Sequence, residues 1–503
     1  MACSAGESTL KYFACGRSLA LLVAIGASLI AAQSAGASTP RPLITSVSDP
    51  RLLLGPGAAV GFNRIHGAGA TVVRLVVNWR SVAPAVLPQQ FDATSPSDPG
   101  YDWSTVDPQV TGAVAAGLTP LLIVDDAPTW AQASGRQTGA GPYKPSPKAF
   151  GDFAQAIATR FDGTFEGLPR VRYWSAWNEP NLTPFLSPQL VGTRPFSPTW
   201  YRSMLNAFAD SVHGVHADNL VIAGELAPFR DITPVVLKRT KDWGPLTFMR
   251  NMLCLSKSLK PTCHSRSTFD VWATHPYTSG GPTHHAVLPD DVSLADLPKM
   301  RATLDAAIRA GNVQTTHHVQ FWATEFSWDS SPPDPEGVPT SLLTRWTAEA
   351  LYRMWAAGIT LVSWFRLYDD PITTSYLQCG LYYWDPKVPK ASPKPILRAF
   401  RFPVVAIPQG QGVYVWGRTP GGVPGRVRIE WSGGHGGWRL LRTMSTNRYG
   451  IFESTFAIAP TGLVHARLVT GGLTSAAFGV PPVADRFFNP FGQTTLVEPK
   501  HGP

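Results

Sequence analysis

Between Leu43 and Phe402 the chain alternates eight times between a short apolar run rich in β-branched residues and a segment of helical character. The runs fall at 43–48, 71–78, 118–125, 171–177, 220–224, 269–275, 319–324 and 360–366. Near-continuous apolar strands separated by helices predict a parallel sheet covered on both faces. Eight such units predict an α/β fold of (β/α)8 TIM-barrel type over residues 38–402. Helices are expected over 147–161, 199–215, 294–310 and 341–357, the last with Leu343, Trp346, Ala350 and Met354 on one face. Gly117, Gly311 and Gly358 follow helical segments, where a residue tolerant of positive φ ends the helix at low cost.

The period changes after Phe402. Short alternating runs at 412–416, 426–431, 437–442, 451–458 and 464–468, separated by Gly, Pro, Ser and Asn, predict a small antiparallel β-sandwich over 403–488. A loose tail is expected over 489–503.

The first 37 residues read as a sorting signal. Lys11 and Arg17 precede an apolar run at 19–32, and Ala35-Gly36-Ala37 offers the small residues of a cleavage site, so release before Ser38 and secretion are expected. The alternative is an uncleaved segment anchoring the chain. At about 14 residues the run falls short of the roughly 20 that span a bilayer, and stable membrane insertion is not expected. Export implies an oxidising compartment. Cys254 and Cys263 are then expected to close a small disulfide loop, with Cys379 left over and buried. No C-x-x-C, His-Glu-x-x-His, phosphate-cradling or dinucleotide motif occurs, so no metal or cofactor is expected. A net charge of +9 is spread along the chain rather than striped. That distribution argues against nucleic acid as a partner and leaves an acidic polymer compatible in sign. No feature of the sequence points to a protein partner.

Reacting groups in such barrels sit at the C-terminal ends of the strands. The fourth run ends Trp177-Asn178-Glu179-Pro180 and the seventh Thr324-Glu325-Phe326, which places one carboxylate on each of two opposed strands. Two facing carboxylates suit cleavage of a glycosidic bond, one protonating the departing oxygen and the other attacking carbon or activating water. Trp177 and Pro180 beside Glu179 predict partial desolvation and a raised pKa, whereas Glu325 needs donors such as Tyr277 to stay ionised. Glu225, Asp125 and Asp126 are competing rim carboxylates, suited to binding sugar hydroxyls.

Asn178-Glu179-Pro180, His275-Pro276-Tyr277, Glu325 and Trp364, in that strand order, resemble glycoside hydrolase clan A, especially families five and thirty-nine, over residues 43–400. The resemblance implies retention of anomeric configuration, with Glu179 as acid/base and Glu325 as nucleophile. It implies that Asn178 bonds the 2-hydroxyl of a carbohydrate substrate and that Tyr277 bonds the nucleophile. His275 would line the floor, Arg74 would lie beneath the nucleophile and Trp364 would form the sugar platform. The third run ends Val124-Asp125-Asp126 without the His frequent in family five, which leaves family and substrate open.

Plainer roles compete with these. Glu179 also suits a helix cap, Glu325 an ion pair with Arg366, and His275 and Arg74 purely structural ties. Trp79, Trp130, Trp328 and Trp364, near strand ends, are candidates for stacking on sugar faces. Trp174, Trp272, Trp322, Trp346 and Trp355 read as packing, and Trp416, Trp431 and Trp438 as sandwich core before glycan platform. A glycan-binding or wall-associated protein on a barrel that has lost turnover is the rival reading.

Overall fold

The computed structural model describes residues 40–488 apart from 51–53, 56, 137, 231–241, 376 and 435. The leader, its cleavage site and the tail from 489 lie outside the described residues. Among the described residues, no helix is long and apolar enough to cross a membrane.

Eight parallel strands close into a barrel: β1 (Ile44–Ser48), β2 (Val72–Asn78), β3 (Thr119–Asp125), β4 (Tyr173–Ala176), β5 (Leu220–Leu226), β6 (Val271–Thr274), β7 (Gln320–Phe326) and β8 (Leu361–Phe365). All eight expected runs are strands. Pairing of Ile44 with Leu361 joins the last strand to the first. The helices that follow are α1 (Ala58–Gly67), α2 (Asp107–Ala115), α3 (Pro147–Arg160), α4 (Ser197–Val215), α5 (Pro245–Met252), α6 (Leu297–Arg309), α7 (Thr340–Ala356) and α8 (Ile396–Arg401). The four longest helices match the expected segments. The other four have ten residues or fewer, a short window for a helical period, and of these α2 alone was signalled, by Gly117 behind it. Gly117, Gly311 and Gly358 each have positive φ behind α2, α6 and α7.

Strand alternation sorts the barrel into two cores. Val72, Leu121, Leu220, Ile222, Val271, Ala273, Trp322 and Leu361 pack together along the axis. Their neighbours Val73, Leu122, Val221, Trp272, Phe321 and Val362 face the helices. On β2, β7 and β8, and just past the end of β6, the inward positions above that apolar floor are polar: Arg74, Thr324, Ser363 and His275, all buried.

The C-terminal part holds two antiparallel sheets. One is β9 (Val404–Gln409), β10 (Gly412–Arg418) and β13 (Ile451–Phe456); the other is β12 (Arg439–Ser445), β11 (Arg426–Ser432), β14 (Leu463–Leu468) and β15 (Phe478–Gly479). β9 and β15 are strands that the sequence reading did not separate from the loops. The sheets share one apolar core with the outer layer of the barrel. Trp416 packs on Tyr352 and Trp355 of α7, both at 5.4 Å, and the buried Arg418 reaches Thr45 Oγ1 of β1 at 3.3 Å. The sheets therefore brace α7 and the N-terminal end of β1. A disulfide joins Cys254 to Cys263 with Cα atoms 5.1 Å apart, and Cys379 is buried and free. Trp416 is core as expected, Trp431 is half-buried, and Trp438, 41% exposed, stacks on His465.

Candidate active site

The C-terminal ends of β3, β4 and β5 leave the regular strand conformation abruptly. Asp126 (φ 54°), Trp177 (φ 72°), Glu179 (φ 39°) and Glu225 (φ 50°) occupy the left-handed region. That region is uncommon for residues with a Cβ, and such conformations cluster at functional sites. Gly224 precedes Glu225 with φ 95°, and a Cβ there would lie 2.4 Å from the Ala273 carbonyl oxygen of β6. Only glycine lets β5 run that close to β6 while turning Glu225 inward.

These turns gather a chain of charges. Arg74 of β2 donates through Nη2 to Asn178 Oδ1 at 3.0 Å and Glu225 Oε2 at 3.2 Å, and through Nη1 to Glu325 Oε2 at 3.4 Å. Glu225 also accepts from Ser175 Oγ at 2.6 Å and Thr324 Oγ1 at 2.8 Å. His275 donates from Nε2 to Glu225 Oε2 and from Nδ1 to Glu179 Oε1, both at 2.8 Å. Tyr277 donates its hydroxyl to Glu325 Oε1 at 2.8 Å. One oxygen of Glu179, one of Glu325 and one ring nitrogen of His275 all lie within 4.8 Å of one another. The side chains of Glu179 and Glu325 keep 11% and 16% exposure, so both carboxylates open on the mouth.

The electrostatics separate these carboxyls. Burial raises Glu179 above the usual carboxyl range, although its bond to His275 pulls the other way. Burial also opposes the charge on Glu225, but Arg74, His275 and Ser175 outweigh it and hold the group at about 2. Burial disfavours the His275 imidazolium, yet the Glu325 charge and the bonds to Glu179 and Glu225 lift it to about 10. At neutral pH His275 is a cation with both ring nitrogens donating. Both ring nitrogens are engaged by carboxylates at 2.8 Å, an arrangement that suits proton chemistry between Glu179 and Glu225.

A stability prediction follows with two signs. Glu225 sits below its ordinary 4.5, so its contribution is present above pH 4.5 and lost as pH falls towards 2. His275 sits above its ordinary 6.5, so its contribution is present below pH 6.5 and lost as pH rises towards 10. Glu225→Gln leaves Arg74 and His275 partly unpaired and is expected to cost about 3–5 kcal/mol near pH 5.5. Urea unfolding at pH 3, 5.5 and 9 should show the largest deficit at pH 5.5; an equal deficit at all three would show that the charge of Glu225 is immaterial.

The geometry brings together Arg74, Asn178, Glu179, His275, Tyr277 and Glu325, and removes most of the expected aromatic surface. Trp364 is 1% exposed, packs on Phe326 and Phe400 and donates Nε1 to the Cys379 carbonyl, so it has no face for a sugar. Alternation explains the correction. Leu361 belongs to the axial core and Val362 to the outer one, so Trp364 points to the helices and the partly exposed Phe365 points to the axis. Trp79, fully buried against Phe153, and Trp328, 2% exposed, are likewise packing. Trp130 remains half-buried, its Nε1 donating to the Pro84 carbonyl at 2.8 Å. Arg366 pairs with Asp370 at 2.6 Å, so the basic neighbour of Glu325 is Arg74 instead. Sequence reasoning passed over the supporting bonds from Ser175 and Thr324 and the central place of Glu225; the Gly224-Glu225 step was the available signal.

No family model matches the chain, and no curated protein does. Similar solved structures include a β-glucuronidase 2 calcium-binding mutant from Bacteroides uniformis, at 11% identity and TM-score 0.39 over 90% of this chain; the chain spans only 46% of that protein. A glycoside hydrolase family 30 subfamily 8 xylanase from Clostridium acetobutylicum is similar at 12% identity and TM-score 0.43, covering 83% of this chain and 93% of that one. A fungal β-1,4-galactanase is similar at 14% identity and TM-score 0.45, covering 71% and 98%.

Proposed function

We propose that the chain is a secreted, retaining β-glycoside hydrolase acting on an oligo- or polysaccharide. The observation that carries this reading is the pair of opposed carboxylates, Glu179 and Glu325, with oxygens within 4.8 Å and contrasting surroundings. So close an approach of one oxygen from each group supports a double displacement over inversion, which needs the two carboxyl groups about 6.5–9.5 Å apart to admit a water. Glu325, held by Tyr277 and Arg74, attacks the anomeric carbon as the glycosidic C–O bond breaks. Glu179, whose buried carboxyl keeps its proton more readily than usual, passes that proton to the departing oxygen. Glu179 then takes a proton from water, which attacks the anomeric carbon and releases Glu325. Arg74 also holds Asn178 by Oδ1, which leaves the amide N–H groups to meet the sugar 2-hydroxyl. Phe365, on the axis side of β8, takes the platform role first expected of Trp364.

A panel of 2-deoxy-2-fluoro β-glycosides with dinitrophenolate leaving groups tests the reading. One member should add a single glycosyl mass to the protein, located by peptide mass spectrometry at Glu325. Release of α-configured product, or binding of glycans with no label from any donor, would defeat it; the second outcome would favour a non-catalytic glycan binder.

A further inference from the structure

One carboxyl in the mouth has no place in this scheme. Asp125 is the last residue of β3, in register with Asn78 of β2. On β3, Leu121 lies in the axial core whereas Leu122 and Val124 lie in the outer one, so Asp125 shares the inward side with Leu121 and Ile123. It stands two turns of the pleat above the position level with Arg74. Its Oδ1 is buried and accepts no hydrogen bond among the described residues, while the residue keeps part of its surface open. The contrast with its neighbours is sharp. Asp126 is bound by Arg80 at 2.8 Å and Asn78 at 3.4 Å, and Glu225 accepts from four side chains. Leaving a buried carboxyl oxygen without a donor is costly, and at a rim a ligand hydroxyl is placed to supply the missing donor.

The charges around it set a second condition. Among the described residues, the cations bonded to the carboxyls of the mouth's centre are Arg74 and His275, and both are bonded to Glu225. Arg80 is paired with Asp126 and Arg366 with Asp370. Glu179, Glu225 and Glu325 each have Arg74 or His275 as a bonded partner, whereas Asp125 is bonded to no cation among the described residues, so once ionised it is the unmatched negative charge of the mouth. Burial and the adjacent Asp126 push Asp125 up to about 7, so near neutrality it is able both to accept and to donate.

We propose that Asp125 is the specificity-determining residue of the cleavage subsite: it bonds a ring hydroxyl of a neutral sugar and turns away sugars bearing a carboxylate. This rests on the glycosidase reading above. The acidic polymer that the net charge of the chain allows is thereby disfavoured at this subsite.

The test uses the full chain with 4-nitrophenyl β-glucoside, β-galactoside, β-xyloside, β-mannoside and β-glucuronide, followed by the monodeoxy series of the best neutral sugar. Asp125→Ala is expected to lower kcat/KM on that sugar by about tenfold to a hundredfold. One monodeoxy substrate should show the same loss with the wild-type protein and no further loss with Asp125→Ala. Asp125→Asn, which keeps the shape, should narrow the preference for the neutral sugar over the glucuronide at pH 8. An equal loss on every deoxy sugar, or an unchanged preference in Asp125→Asn, would overturn the proposal. Glu325→Gly separates the two readings. If it is inactive while both Asp125 variants match wild type, only the Asp125 inference fails. If Glu325→Gly keeps wild-type turnover, or no glycoside is cleaved, both fail.

Discussion

Glu325→Gly is expected to lose turnover of every β-glycoside by about 10⁴-fold or more, the scale seen when a nucleophile that acts as part of a unit is deleted. The surroundings of Glu325 make the outcome specific. Tyr277 and Arg74 both direct donors at its carboxylate, and both would remain, arranged around a space the size of a small anion. Neither a phenol whose pKa burial raises well above the ordinary value nor a guanidinium is able to replace the lost nucleophile. Azide supplied at high concentration should occupy that space and attack an activated aryl β-glycoside. The product should be the α-glycosyl azide, because attack comes from the face that Glu325 occupied. Proton NMR of the product reads the configuration directly. Retained activity without azide would remove Glu325 from the reaction, and a β-azide would place the nucleophile elsewhere.

The residues from which this prediction is built were legible to different degrees. The eight barrel strands were readable because each is apolar on both faces, one side meeting helices and the other meeting the axial core, so each run is nearly continuous. Glu179 and Glu325 were readable because a carboxylate that ends such a run has only the mouth to occupy. The direction of Trp364 was not. Alternation along β8 requires a phase, and the phase was fixed only when Leu361 was seen to share the axial core with Leu121 and Trp322. An aromatic dipeptide, Trp364-Phe365, offers either phase to a reader of sequence. Glu225 was undervalued for a related reason. Its turn begins at Gly224 and depends on a carbonyl of β6, Ala273, that comes within contact only after the sheet has closed. The short helices α1, α5 and α8 were missed because each has ten residues or fewer, too short a window for a helical period to stand out in the sequence.

Glu179→Gln should divide substrates by leaving group. With an alkyl or sugar leaving group the departing oxygen needs a proton, and kcat/KM is expected to fall by about 10²–10⁴-fold. With 2,4-dinitrophenolate no proton is needed, so the first step should stay within about tenfold of wild type. The second step still lacks its base, and a burst of dinitrophenolate followed by slow turnover should appear. The pH profile carries the same logic. Donation requires the protonated carboxyl, so wild-type kcat/KM on poor leaving groups is lost as pH rises through the elevated Glu179 pKa, and this limb should be absent when the variant acts on dinitrophenyl glycosides. His275 is the group that makes the pairing work. Its two bonds tie Glu179 to the ionised Glu225, so the acid of the proposed scheme is positioned by a group that the scheme leaves charged throughout. Azide added to Glu179→Ala should intercept the glycosyl-enzyme from the opposite side and yield a β-glycosyl azide, the mirror of the product expected from Glu325→Gly. Equal losses across leaving groups, or the same azide anomer from both variants, would mean that the two carboxyls do not divide the work between them.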